Sequence, residues 1–130
     1  SEMQLHVPIS IGEVLDKITI LQIKIENMTD AKKCANIQKE LAALLPLVQE
    51  KIFEDDKLRT LTAELKLVNE SLWGIEDDIR EKEAAKGFDA EFIRLARAVY
   101  ITNDKRAALK KQINLATGSD FVEEKSYEDY

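Results

Sequence analysis

A chain of 130 residues is long enough for one domain with its own core and too short for two. With 45% hydrophobic and 34% charged residues, four Gly and two Pro, the composition excludes disorder and a turn-rich sandwich or barrel, and favours helices. A net charge of -6 excludes a general nucleic-acid binder, which needs a basic face for phosphate contacts.

Pro8 pushes Val7 out of helical geometry, so residues 1–9 are expected to be an extended lead-in. Ser10 with Glu13 three residues on forms a capping box, and Ile11, Val14, Leu15, Ile18, Leu21, Ile25 and Met28 follow at helical spacing. The stretch "LQIKIE" alternates as a strand would, but nothing else in the chain offers a strand to pair with it. Ile20 and Ile23 lie off the main stripe, so this first helix needs partners on two sides. Polar residues interrupt the run Ile9 to Ile25, so no membrane span is expected.

Asp30 caps a second helix with Cys34, Ile37, Leu41, Leu44, Val48 and Ile52 on one face, and Pro46 predicts a kink or break near Ala43 to Leu45. Asp55 or Asp56 starts a third. Leu58, Leu61, Leu65, Val68, Leu72, Ile75 and Ile79 then form an unbroken heptad seam, with Gly87 as the expected left-handed stop. Asp89 starts a fourth helix, in which Phe88, Phe92, Leu95, Val99, Thr102, Arg106, Leu109, Ile113 and Ala116 keep the period as far as Gly118.

The predicted fold is therefore all-α, a helical bundle built on a long antiparallel helical hairpin (about 56–86 and 90–117) with two N-terminal helices packed on it. Residues 1–130 are expected to form a single helical domain, and residues 119–130, one Lys against five acids, an acidic C-terminal extension. That extension either docks on the basic fourth helix or is disordered. The charge is segregated: residues 55–87 carry six Lys/Arg against nine Asp/Glu, and residues 88–118 six against three.

Within the third helix Asn69, Trp73, Glu76, Arg80 and Glu83 form a second stripe beside the seam. A lone tryptophan there must pack under the first two helices, meet a second subunit or line a pocket. Gly74 costs about 1 kcal/mol against Ala in a helix interior, which predicts the close approach of another backbone. Positions facing each other across the hairpin sum to about 176, so Trp73 falls near Asn103, Glu76 near Tyr100, and Arg80 near Ala96 and Arg97. The candidate site is Asn69, Trp73, Glu76, Arg80, Tyr100, Asn103 and Arg106. Two readings stay open. The cluster is a register-fixing network, or it binds an anionic small molecule, a sugar phosphate or nucleotide, with Trp73 stacked on it.

His6 and Cys34 stand alone in separate segments, so no metal and no cofactor is predicted. A helical phosphohydrolase would pair acids on two helices. Glu13 and Asp16 have that spacing, but an inward second pair is missing, and catalysis has little support. The single cysteine predicts a reduced, cytoplasmic setting, and surplus apolar surface predicts a homodimer or a protein partner.

The segments "VPISIGEVLDKITILQIK", "LWGIEDDIREKE", "EFIRLARAVYITNDKRAALKKQIN" and "EEKSYEDY", in that order, resemble a family of small uncharacterised bacterial proteins classed as a domain of unknown function. The resemblance covers Val7 to Tyr130. It places family motifs on Glu13, Asp16, Lys17, Trp73, Glu76, Asp77, Arg80, Tyr100, Asn103 and Asp104, and on Glu124, Lys125, Ser126 and Tyr127 of the tail. It implies no assigned activity, only an association with glycosyltransferase and surface-polysaccharide genes.

Overall fold

The computed structural model describes residues 3–119, 121, 124 and 126–130. Four helices follow one another: α1 (Ile11–Asn27), α2 (Ala31–Glu54), α3 (Asp56–Ala84) and α4 (Ala90–Thr117). No strand occurs among the described residues, and none of their helices is long and apolar enough to cross a membrane. The "LQIKIE" stretch is helical, because its apolar residues have helices on more than one side; Leu21 and Ile23 are both buried.

Each helix begins where a short polar side chain replaces a missing intrahelical acceptor. Ser10 accepts from the Glu13 amide (3.2 Å), Asp30 from Lys33 (2.9 Å), Asp55 from Leu58 (3.1 Å) and Asp89 from Phe92 (2.9 Å). Each such cap stabilises by about 1 kcal/mol. Lys82 also bonds Asp89 across the hairpin turn at 2.8 Å, and that bond with the cap holds the Asp89 carboxyl below its usual range.

Pro46 does not break α2, and Gly87 is not the left-handed residue that ends α3. Helix α2 runs unbroken through Pro46, which sits on its exposed side, so the helix absorbs one missing N–H without ending. At the end of α3 the left-handed residue is Lys86 (φ 56°), with Gly87 one position further on. The Gly87 amide bonds the Lys82 carbonyl (2.9 Å) and the Lys86 amide the Glu83 carbonyl (3.1 Å), the paired bonds of a Schellman turn. The same turn ends α4, where Gly118 does take the left-handed place (φ 64°).

The core sits at one end of the bundle. Val14, Leu15 and Ile18 of α1, Val48 of α2, Leu58, Leu61 and Leu65 of α3, and Leu109 and Ile113 of α4 form one buried cluster. With 17 residues α1 spans about 25 Å, against about 43 Å for the 29 residues of α3. The seam therefore continues into a half of the hairpin with less cover, where Leu72, Ile75 and Ile79 are only half-buried.

Among the described tail residues, Glu124 lies 3.3 Å from Lys111, and the Tyr130 ring meets Tyr100 edge-on at 5.2 Å. Those contacts set parts of the tail against α4. Lys125, one of the tail motif residues, lies outside the described residues.

Candidate functional site

Where α1 leaves the hairpin, a groove of about 480 Å³ opens between the three elements. Ile20, Ile23 and Lys24 line it from α1, Asn69, Leu72, Trp73, Glu76, Asp77 and Arg80 from α3, and Asn103 and Arg106 from α4. Six of the seven residues expected to converge thus share one cavity. The reason is periodicity: Asn69, Trp73, Glu76 and Arg80 recur every three or four residues, and the antiparallel return of α4 brings Asn103 and Arg106 to the same height. Tyr100 is not among the lining residues; it is 44% exposed and meets the Tyr130 ring edge-on.

Below the groove lies a buried polar floor centred on Asp16, which is 4% exposed. Arg106 Nε donates to Asp16 Oδ1 at 2.8 Å and Arg106 Nη2 donates to Oδ2, a two-pronged contact suited to a planar guanidinium. The Asn69 amide nitrogen donates both to Asp16 Oδ1 (3.0 Å) and to Thr19 Oγ1 (3.0 Å), and the Thr19 hydroxyl donates to the Asp16 carbonyl (2.9 Å). Lys110 Nζ lies 4.0 Å from Asp16 Oδ2 and 2.6 Å from Glu13 Oε1. Burial alone would raise the Asp16 pKa. The bonds from Arg106 and Asn69, with the charges of Arg106 and Lys110, outweigh burial and hold the carboxyl below its ordinary range. Asp16 is thus a saturated acceptor rather than an acid waiting to donate. No buried side-chain nitrogen or oxygen among the described residues lacks a partner.

The floor gives Asn69 a structural task beside its place on the wall. It also contains residues absent from the expected site: Asp16, Thr19, Lys110 and, further along, Asn114, whose Oδ1 accepts from the Gly12 amide at 2.7 Å. A signal for them existed. Lys110 and Asn114 follow Arg106 at steps of four, and Asp16 stands among Val14, Leu15 and Ile18 on an apolar helix. Gly12 is where backbones approach closely, since a Cβ there would meet Asn114 Oδ1 at 2.7 Å and the Lys110 carbonyl at 2.8 Å. The approach expected at Gly74 does not occur within the chain; a Cβ at Gly74 meets nothing within 4 Å.

On the wall, Arg80 Nε bonds Glu76 Oε2 at 3.1 Å, an exposed pair one helical turn apart that contributes at most about 1 kcal/mol. Arg106 Nη1 reaches Asn103 Oδ1 at 3.5 Å. Among the described residues no group of three His, Cys, Asp or Glu side chains is placed to hold a metal ion. Asp16, the carboxylate that a phosphohydrolase would need, is engaged by two cations.

A family described as a family of unknown function, DUF6165, matches residues 5–130. The chain belongs to it. No curated protein and no solved structure matches. The span that matches DUF6165 contains all four helices, and with them both the groove and its floor.

Proposed function

We propose that the groove binds a small anionic ligand that also carries hydroxyls, a sugar phosphate or a nucleotide, and that the protein acts as a non-catalytic accessory factor. The observation that carries this reading is the groove's mixture of groups. Trp73 is half-buried and offers a ring face, and its indole N–H has no acceptor among the described residues. Lys24 and Asp77 line the same cavity without an ion-pair partner among those residues. Lys24, Arg80 and Arg106 supply positive charge for a phosphate, Asp77 and Glu76 accept sugar hydroxyls, and the indole stacks on a ring. Arg106 is held in place by the buried Asp16, so its orientation is set before a ligand arrives.

Trp73 is the only tryptophan, so its emission reports on the groove alone. Titration with a panel of sugar phosphates and nucleotides is expected to change that emission saturably. Arg80→Ala and Lys24→Ala should each weaken binding by about 10-fold. Silence across the panel, with no rise in melting temperature, removes the reading. The resemblance to bacterial proteins associated with surface-polysaccharide genes makes sugar phosphates the first compounds to try.

A second reading is favoured by exposed apolar side chains, among them Phe53 (81%), Leu67 (66%) and Ile93 (58%). In it the protein works through protein contacts, as a homodimer in the cytoplasm, the compartment that the lone Cys34 suggests.

A further inference from the structure

We propose that the groove selects an amino-sugar phosphate, a ligand that carries a protonated amine as well as its phosphate, with the amine held over Trp73 by Asp77 and Glu76. This rests on the groove being an anion site, as proposed above, and adds the ligand's second charge.

A site for a bare phosphate should carry a surplus of cations, and this one does not. Lys24, Arg80 and Arg106 line the groove together with Glu76 and Asp77, and Asp16 lies directly beneath Arg106. Three positive charges thus meet three negative ones. Most of them are committed within the chain: Arg80 bonds Glu76, and Arg106 bonds Asp16. The two lining charges that form no ion pair among the described residues are Lys24 on the α1 wall and Asp77 on the α3 wall. They are opposite in sign and do not pair with each other. A bare phosphate matches Lys24 and is repelled by Asp77, whereas a ligand with one charge of each sign matches both.

The order of the groups along the groove sets the ligand's dimensions. Arg106 and Asn69 both donate to Asp16 Oδ1, so the guanidinium stands at the height of Asn69. Trp73 and Asp77 follow Asn69 at steps of four on one face of α3. The indole therefore lies between the guanidinium and the Asp77 carboxylate, which are about 12 Å apart along the axis. A hydrogen bond of about 3 Å at each end leaves about 6 Å between the ligand's own charges. That is the span of one sugar ring with a phosphate on one side and an amine on the other. An ammonium over the half-buried indole gains from the negative face of the ring, and Glu76 and Asp77 lie one helical turn beyond it. Nucleotide bases are uncharged at neutral pH and leave Asp77 unmatched.

The test is titration of the purified chain with glucosamine 6-phosphate, its N-acetylated form, glucose 6-phosphate and unphosphorylated glucosamine. Trp73 emission is read at about pH 6.5, where such an amine keeps its proton. Glucosamine 6-phosphate is expected to bind about 10-fold tighter than each of the other three. Asp77 is exposed, so Asp77→Asn keeps the fold, and it should cut the preference over glucose 6-phosphate to about two-fold or less. Lys24→Ala should weaken all three phosphates and leave that preference in place. Equal binding of the three phosphates, or a preference that survives Asp77→Asn, overturns the amine's place and leaves the anion site standing. A nucleotide that binds when no sugar phosphate does has the same effect. Glucosamine binding as tightly as its phosphate overturns both, since the phosphate then contributes nothing. Silence from every phosphate, in emission and in melting temperature, also removes both.

Discussion

Replacing Asp16 with Asn keeps the shape of the side chain and removes its charge, which tests the floor of the groove directly. In the folded chain that carboxylate is 5% exposed and receives Arg106 and Asn69, with Lys110 close by. The variant takes the carboxylate's charge away from Lys110, itself 8% exposed and bonded also to Glu13, and from Arg106, 30% exposed. Breaking a buried ion pair by removing one partner costs about 3–5 kcal/mol. Because Arg106 is partly in water, the lower end applies, about 3 kcal/mol or roughly 12 °C in melting temperature for a chain of this size. Urea denaturation followed by circular dichroism measures it. Glu76→Gln, which cuts the exposed Arg80 pair, serves as the internal control and should change stability by less than about 0.5 kcal/mol. An Arg106→Gln variant completes a double-mutant cycle, with a coupling of at least about 1.5 kcal/mol expected. If Asp16→Asn costs less than about 1 kcal/mol, or couples no more strongly than an exposed pair, the floor is not an ion-pair centre and Arg106 is not held by it.

Acid should act through the same residue. The folded-state pKa of Asp16 is depressed below its ordinary 3.8, so its contribution is complete above that value and is lost as pH falls through the lower folded pKa; Asp16→Asn should flatten the acid limb of a stability-versus-pH curve. Gly12→Ala should destabilise by about 2 kcal/mol net, because overpacking against Asn114 and the Lys110 carbonyl exceeds the gain in helix propensity; a variant more stable than wild type in thermal melts contradicts the close approach. Lys86→Gly should stabilise by about 0.5–1 kcal/mol in urea titrations by relieving a left-handed backbone, and a loss of stability would contradict that geometry.

The chain's local chemistry determined a good part of the architecture. Ser10, Asp30, Asp55 and Asp89 each mark a helix start because a short polar side chain is what an orphaned amide needs, and that requirement is readable without the fold. The seam from Leu58 to Ile79 and its return through Leu95, Leu109 and Ile113 fixed the hairpin, since only one face of each helix can meet the other. The stripe of Asn69, Trp73, Glu76 and Arg80, with Asn103 and Arg106 opposite, followed from the same period.

Tertiary structure decided what that stripe meets. Asp16 and Arg106 are 90 residues apart, and no periodicity links α1 to α4. Their pairing depends on how α1 docks, which turned Asn69 and Arg106 partly from wall to support and added Lys110 and Asn114. The glycines divide the same way: the cost of Gly74 was local and legible, but space is a property of neighbours. The neighbour stands at Gly12, while the face at Gly74 is left open.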